Sequence, residues 1–161
     1  MRWTWIDRFV SFESGKSATA VKNLSLAEDH FADHFPGFPV MPAPLILEGL
    51  AQTGGILVGE ANKYEKNVVL AKMNNVRFHR EAMAGEQLTY ATTIVALNET
   101  GAQVTATAHS AGELIVEAEI MFAHVTAAQL PPGTPDPKFV FRGEMTQLLR
   151  QAETVSRSVP N

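Results

Sequence analysis

The sequence contains no cysteine among its 161 residues. Disulfide bonds and thiolate metal sites are therefore excluded, but the cellular compartment stays open because many exported proteins also lack cysteine. A chain of this length buries roughly 70% of its unfolded surface around one core. We expect one hydrophobic core that needs no disulfide or metal to hold it together.

A long hydrophobic run and an excess of positive charge are also missing. The most apolar stretch, residues 43–59, is interrupted by Glu48, Gln52 and four glycines, so it is unsuited to spanning a bilayer. The N-terminus carries charges where a signal peptide has its apolar segment. The net charge of −4 gives no general attraction for nucleic acid. These features predict a soluble, cytoplasmic protein.

Turn residues divide most of the chain into strands. Gly15, Gly101 and Gly112 mark the turns of three predicted hairpins. The predicted strands are residues 3–10, 18–26, 67–72, 75–79, 87–98, 103–110 and 113–124. Ser25 and Glu28 have the spacing of a capping box, which predicts a short helix before the proline-rich loop.

A single apolar helix is predicted over residues 45–60, with Pro44 in its first turn. It is apolar on most faces, which indicates a buried helix. Four glycines lie in or beside its interior: Gly49, Gly54, Gly55 and Gly59. Each costs about 1 kcal/mol relative to alanine, and close approach of another backbone would explain them. The element order predicts an α+β fold in which a long antiparallel sheet wraps around a buried central helix.

The composition changes after residue 126. We assign residues 1–126 to one domain, 127–137 to a proline-rich linker and 138–161 to a C-terminal extension. Residues 142–155 predict a short amphipathic helix, because apolar residues recur at helical spacing with charges between them. That helix either docks on its own domain or a symmetry mate, or it serves as a partner-binding tail.

The strongest chemical signal is a histidine in a proline-stiffened loop, followed by a carboxylate in the apolar helix. His34 lies fourteen positions before Glu48, and the four prolines between them make the loop irregular but rigid. A neutral imidazole accepts a proton at physiological pH, and a protonated carboxyl group donates one. We therefore interpret His34 and Glu48 as a base and an acid that face one cavity at the helix mouth.

Backbone and apolar groups around this pair add the elements of an acyl site. The N–H groups of Ala43 and Leu45 are expected to be free at the helix N-terminus, where they can bind a carbonyl oxygen that gains negative charge. The apolar walls would come from Phe35, Phe38, Val40, Ile46 and Leu50. This set suits proton abstraction next to a carbonyl with loss or gain of water. By spacing alone, purely structural roles for the histidine and the glutamate stay open.

Two further clusters have weaker chemical readings. His30 and His34 are four residues apart and have aspartates beside them, but the interrupted backbone before Pro36 disfavours a metal site. Three cations form a basic cluster: Lys72, Arg77 and Arg80. That cluster either receives an acidic partner or is an ordinary solvated face.

Around His34 and Glu48 the sequence resembles the 3-hydroxyacyl-(acyl-carrier-protein) dehydratases of the FabZ type. The family segment reads His-Phe-Pro-Gly-x-Pro-x-Met-Pro-Gly-x-Leu-x-x-Glu-x-x-Ala-Gln. The matching residues here are His34-Phe35-Pro36-Gly37, Pro39, Met41-Pro42, Leu45, Glu48 and Ala51-Gln52. The similarity extends over about residues 5–126. Two family glycines are replaced, since Asp33 precedes the histidine and Ala43 follows Met-Pro.

The resemblance implies a hotdog fold and a homodimer whose sheets join, often assembled further as a trimer of dimers. In such enzymes each site takes its histidine from one subunit and its glutamate from the other. His34 would then remove the C2 proton of the substrate, Glu48 would protonate the departing hydroxyl, and the Val40 carbonyl would hold the imidazole. The groups expected against the substrate are Val40, Ala43, Leu45, Phe35 and Phe38.

The same resemblance implies no metal and no organic cofactor. The phosphopantetheine arm of acyl carrier protein would be part of the substrate. Two alternatives remain at this stage: a hotdog thioesterase, which would release a free thiol, and a non-catalytic subunit that binds acyl thioesters.

Overall fold

The computed structural model describes residues 3–129 and 144–157. The strands are β1 (Arg8–Glu13), β2 (Ser17–Asn23), β3 (Asn67–Phe78), β4 (Gln87–Asn98), β5 (Gly101–Ser110) and β6 (Glu113–Val125). The helices are α1 (Asp29–Asp33), α2 (Ala43–Ala61) and α3 (Glu144–Arg157), with a 3-10 turn at Ala127–Gln129. The strands form one antiparallel sheet in the order β1-β2-β4-β5-β6-β3. With α2 packed on this sheet, the predicted α+β hotdog architecture is confirmed.

Helix α2 is the centre of the core. Pro42 caps its N-terminus and Pro44 lies in the first turn, where a missing N–H costs nothing. Leu50, Ile56 and Leu57 have no exposed surface, so burial of these side chains supplies much of the driving force for the sheet to close around the helix. The prediction of a buried helix is confirmed, with its start two residues earlier than expected.

The glycines of α2 face aromatic side chains of the sheet. A Cβ atom at Gly49 would lie 2.5 Å from the Tyr90 ring on β4, and one at Gly54 would lie 3.2 Å from the Phe122 ring on β6. The expected close approach is therefore real, but it is made by aromatic side chains and not by another backbone. Small residues on the helix leave room for large rings on the sheet.

The predicted strand bounds are most accurate for β4, β5 and β6, which follow one another in sequence as long hairpins. β4 has the predicted bounds, and β5 and β6 differ from theirs by two residues or fewer. The predicted strands 67–72 and 75–79 were wrong as separate strands. They form the single strand β3, whose pairing with β6 slips twice and whose Asn75 has a φ of +50°. Each slip places an extra residue in the strand, which broke the alternating pattern that sequence analysis relies on.

The first strand starts later than predicted, at Arg8. Residues 3–7 form a non-helical, non-strand segment, here called the strap, that reaches across to α2. The side chains of Trp5 and Ile6 are buried, each with 2% exposure, and the Asp7 N–H donates to the Val21 carbonyl at 2.7 Å. Burial does not alternate here, since the adjacent Trp5 and Ile6 are both buried while Trp3 is 65% exposed, so the predicted strand was wrong for residues 3–7.

Ser25 and Glu28, the predicted capping-box residues, form a turn that precedes α1, and α1 is shorter than expected. The Glu28 carboxylate accepts a hydrogen bond from the Ser25 N–H at 3.0 Å, while α1 itself begins only at Asp29. A second oxygen of Glu28 binds the buried Lys22 at 2.7 Å. The turn is thus tied to β2 before the proline-rich loop begins.

Helix α3 lies against β1 and docks on its own domain. Leu148 is 4% exposed and Ala152 is fully buried, and both join the core cluster. Much of the predicted linker, 127–137, and the start of the extension lie outside the described residues. The division at residue 126 therefore stays a prediction. Within the described parts of the chain, no helix is both long and apolar enough to cross a membrane.

We predict opposite effects from two glycine-to-alanine changes in α2. Gly49→Ala should destabilise the fold by about 1–3 kcal/mol, because the new methyl group overlaps the buried Tyr90 ring. Gly55→Ala is the matched control, since its Cβ would lie 3.5 Å from Phe122, at ordinary contact distance. It should stabilise the helix by up to about 1 kcal/mol. Urea unfolding of both variants measures this, and equal losses would contradict the steric explanation.

Candidate active site

The loop between α1 and α2 holds His34 through main-chain hydrogen bonds. The His34 carbonyl accepts from the Val40 N–H at 3.0 Å, and His34 Nδ1 lies 3.1 Å from the Val40 carbonyl oxygen. Phe35 and Phe38 exchange two backbone hydrogen bonds of 2.9 Å each around Gly37, whose φ of +78° suits glycine. The peptide bond between His34 and Phe35 is cis. The loop is therefore rigid although it has no regular secondary structure.

The Val40 contact determines the tautomer of His34. A carbonyl oxygen only accepts hydrogen bonds, so Nδ1 must carry the proton and Nε2 has the free lone pair. Nε2 has no hydrogen-bond partner within the described part of the chain. The ring stacks on Phe35 at a centroid distance of 4.2 Å. The imidazole is thus held in the form and orientation that a general base needs.

Glu48 lies in the second turn of α2 and is held by Gln52, one turn further on. Gln52 Nε2 donates to Glu48 Oε1 at 2.9 Å and to the Trp3 carbonyl at 2.8 Å. Gln52 Oε1 accepts from the Trp5 N–H at 2.8 Å. One buried amide therefore connects the strap to the carboxyl group of Glu48.

The hydrogen bonds to the strap fix the orientation of the Gln52 amide, whose oxygen and nitrogen are otherwise hard to tell apart. The Trp5 N–H can only donate and the Trp3 carbonyl can only accept, so the oxygen and nitrogen of Gln52 cannot be exchanged. Glu48 Oε1 consequently receives a hydrogen bond from Nε2. If Glu48 carries a proton, that proton resides on Oε2, which has no partner among the described residues. The site presents one defined oxygen to a substrate.

The helix N-terminus offers fewer free N–H groups than predicted. The Leu45 N–H donates to the Pro42 carbonyl at 2.9 Å, so the expectation that it is free was wrong. This bond closes a tight first turn, which is common where proline occupies the start of a helix. The Ala43 N–H has no hydrogen-bond partner in the part of the chain that the structure describes, and Ala43 is exposed. It is the remaining donor for a carbonyl oxygen.

His34 and Glu48 do not meet through a hydrogen bond within residues 3–129 and 144–157. Each has its own main-chain or amide partner, as described above. Of the five residues expected to form the apolar walls, Phe35 and Phe38 are open, with 53% and 51% exposure. The other three are buried: Val40, Ile46 and Leu50. One chain thus presents the two halves of the site without covering them.

The remaining candidate residues have structural surroundings. His30 packs edge-on against Trp5 at 5.5 Å, and no group of three His, Cys, Asp or Glu side chains in the described ranges could hold a metal. In the basic cluster, Arg80 pairs with Glu86 and Glu113, each at 3.0 Å. Its charge is neutralised within the chain, and only Lys72 and Arg77 are left for a partner.

Sequence reasoning missed the role of Gln52, although the residue lies in the quoted motif. Its spacing of four from Glu48 places both side chains on one helix face, which was the available signal. The strap contacts had no such signal, because residues 3–5 and 52 are far apart in sequence.

The comparisons with known proteins agree with this geometry. Residues 2–124 match the FabA-like domain family. The 3-hydroxyacyl-(acyl-carrier-protein) dehydratase FabZ of Listeria welshimeri is 43% identical over 120 residues, which cover 73% of this chain and 83% of that protein. The chain belongs to the FabZ dehydratase family. FabZ of Pelotomaculum thermopropionicum is 38% identical over 119 residues, which cover 73% of this chain and 85% of the relative.

Solved structures share the fold at much lower identity. A dehydratase heterocomplex, ApeI:P from Xenorhabdus doucetiae, aligns with a TM-score of 0.64 and 13% identity over 78% of this chain and 86% of the other. A thioesterase from Pseudomonas aeruginosa aligns with a TM-score of 0.61 and 17% identity over 73% and 80% of the two chains. Since dehydratases and thioesterases both have this architecture, the fold alone does not select the reaction.

We predict that His30 makes stability depend on pH. Burial lowers the pKa of His30 from 6.5, outweighing Glu28 and Asp29, which raise it; Lys22 and His34 lower it further. As pH falls through 6.5, the unfolded chain binds a proton that the folded chain does not, so stability decreases. His30→Gln should therefore lose less stability than the wild type between about pH 7 and 5.

Urea unfolding at several pH values measures this difference. At about pH 7.5 and above, the stability curves of wild type and variant should run parallel, because His30 is then neutral in both the folded and the unfolded chain. A variant with the same acid sensitivity as the wild type would exclude His30 as the cause.

Proposed function

We propose that this chain is a cytoplasmic dehydratase that converts 3-hydroxyacyl thioesters on acyl carrier protein into trans-2-enoyl thioesters, in fatty acid or related acyl-chain biosynthesis. The observation that carries the proposal is the pair of oriented groups, His34 Nε2 with a free lone pair and Glu48 with a free Oε2. Membership of the FabZ family supplies the substrate class, since the named relatives act on that substrate.

The reaction needs one base and one acid and no change of oxidation state. His34 Nε2 removes the proton from C2, and the electron pair of that C–H bond forms the C2–C3 double bond. The C3–O bond breaks as Glu48 Oε2–H protonates the leaving hydroxyl, which departs as water. The Ala43 N–H donates to the thioester oxygen, which gains negative charge when the C2 proton leaves. Return of the proton from His34 to Glu48 resets the site.

A second copy of the chain would complete the site. Within the described residues, β3 is an edge strand that pairs only with β6, and its exposed apolar residues are Val69, Leu70, Val76 and Phe78. Such an edge is a template for pairing with another strand. We propose a homodimer joined through β3, which assembles further into a trimer of dimers. His34 would then face Glu48 of the partner subunit, and the exposed Phe35 and Phe38 would be covered.

The proposed carrier protein would approach on the side of the exposed cations. Lys72 and Arg77 lie on β3 and are both exposed, whereas Arg80 is paired internally. Two free cations near the proposed dimer edge suit an acidic partner and would act mainly on the association rate.

Loss of either catalytic group should abolish the dehydration. With a general base worth typically 10²- to 10⁴-fold in rate, His34→Ala should reduce kcat by about that factor. Glu48→Gln should cause a comparable loss, because an amide keeps the shape of the carboxyl group but cannot deliver its proton. The measurement is the interconversion of 3-hydroxyacyl and enoyl thioesters of several chain lengths, followed by enoyl absorbance.

The same assay separates the alternatives. His109→Ala, on β5, is the control for loss of a histidine and should stay active. Full activity of Glu48→Gln would exclude the proposed acid. Release of free thiol would indicate a thioesterase, and tight acyl-thioester binding without turnover would indicate a non-catalytic binding subunit.

The shared site predicts complementation between two inactive chains. When His34→Ala and Glu48→Gln chains are co-expressed, a heterodimer has one site with both substitutions and one intact site. Random mixing makes half of the dimers heterodimers, so about a quarter of the wild-type rate should return.

Separately purified variants mixed without exchange of subunits are the control and should stay inactive. No recovery in verified heterodimers would place each histidine and glutamate pair within a single chain.

A further inference from the structure

Helix α3 packs on β1 and faces the strap that holds Gln52. It lies outside residues 2–124, which match the FabA-like family, and is therefore an addition of this chain to the matched domain. Leu148 and Ala152 of α3 belong to the same buried cluster as Trp5 and Ile6 of the strap. The α3 helix and the strap thus both contribute side chains to the single hydrophobic core.

The two elements also line one cavity of about 610 Å³. The strap contributes Thr4, Trp5, Ile6 and Asp7, and α3 contributes Gln147, Leu148 and Gln151. The remaining walls come from Lys22 on β2, from the turn before α1 and from the start of α1, including Glu28 and His30. A change in the position of α3, which packs on β1, would therefore alter the wall of the cavity that faces the strap.

The strap is not part of the strand ladder. Asp7 anchors its C-terminal end: its N–H donates to the Val21 carbonyl, and its carboxylate accepts from the N–H and the Nδ2 of Asn23. Further along, the Trp5 N–H and the Trp3 carbonyl are used by Gln52. Burial of Trp5 and Ile6 fixes the backbone that these two hydrogen bonds require.

We propose that α3 is a positioning element for catalysis: by burying Leu148 and Ala152 in the core that also holds Trp5 and Ile6, it keeps the strap, and through it Gln52, in the orientation that directs Glu48 Oε2 to the substrate. The chain of contacts runs from α3 to the strap, from the strap to Gln52 Oε1 and Nε2, and from Nε2 to Glu48 Oε1. This inference rests on the proposed dehydratase function, because it assigns α3 a role in orienting the proposed acid.

The test uses Leu148→Ala in the full-length protein, with Arg150→Ala as the matched control. Arg150 is exposed on the same helix, so its substitution should leave kcat unchanged. Leu148→Ala should lower kcat by about ten- to a hundredfold, since small misplacements of a catalytic group have effects of this size. KM should change little, because the proposed acyl contacts lie at Phe35 and Phe38. Leu148→Met, which nearly conserves volume, should restore most of the rate.

A double-mutant cycle separates positioning from general loss of stability. In a Gln52→Leu background the link to Glu48 is already broken, so Leu148→Ala should cause no further fall in kcat. If Leu148→Ala lowered kcat by the same factor in both backgrounds, α3 would act independently of Gln52 and the proposal would be overturned.

A spectroscopic measurement keeps this inference separate from the proposed function. The side-chain amide of Gln52 gives its own pair of ¹H–¹⁵N signals, which should shift in Leu148→Ala and stay in place in Arg150→Ala. Unshifted signals in a folded Leu148→Ala protein would overturn the positioning role whether or not the enzyme is active. A wild-type protein that is inactive on every 3-hydroxyacyl thioester would contradict the dehydratase proposal, while the amide signals would still test the contact.

Discussion

The structure depends on the close contact between helix α2 and the sheet that surrounds it. Gly49 leaves space for the Tyr90 ring of β4, which is fully buried. Burial raises the pKa of Tyr90, and Asp7 and Glu28 raise it further, so the phenol stays neutral in the core. Its hydroxyl has no hydrogen-bond partner in the described structure. The fold thus accepts a buried polar group in order to keep the large ring against the helix.

Main-chain groups orient both side chains of the candidate site. The Val40 carbonyl holds Nδ1 of His34, while the strap holds Gln52, which in turn holds Glu48. Backbone donors and acceptors neither ionise nor change roles, so they determine the tautomer of the imidazole and the direction of the amide without ambiguity. The chemistry of two side chains is therefore specified by the folding of a loop and of the N-terminal strap.

The histidine loop and strand β3 both carry exposed apolar side chains. The phenylalanines of the histidine loop and the apolar residues along β3 are exposed in one copy, while the interior on the other side of the sheet is closed. Exposed apolar groups of this size are typical of surfaces that another molecule covers. A paired sheet would satisfy the free edge of β3 and cover the histidine loop in the same step.

Much of this protein follows from local sequence. Alternation and glycine turns predicted β4, β5 and β6, and proline followed by an apolar run predicted α2, because these signals involve residues close together in the chain. The candidate residues His34 and Glu48 were also predicted from local sequence, because the motif around them is local. Their proposed roles came from the family resemblance.

Only the tertiary structure decided the rest. It merged two predicted strands into β3, because bulges interrupt the alternation of side chains, and it showed that the Leu45 N–H is taken by Pro42. It also brought Trp3, Trp5 and Gln52 together across almost fifty residues and placed α3 beside them. Such contacts form between segments whose separation leaves no periodic trace in the sequence. The residue types determined which chemistry is available, and the packing of distant segments determined which hydrogen bonds hold the groups of the candidate site.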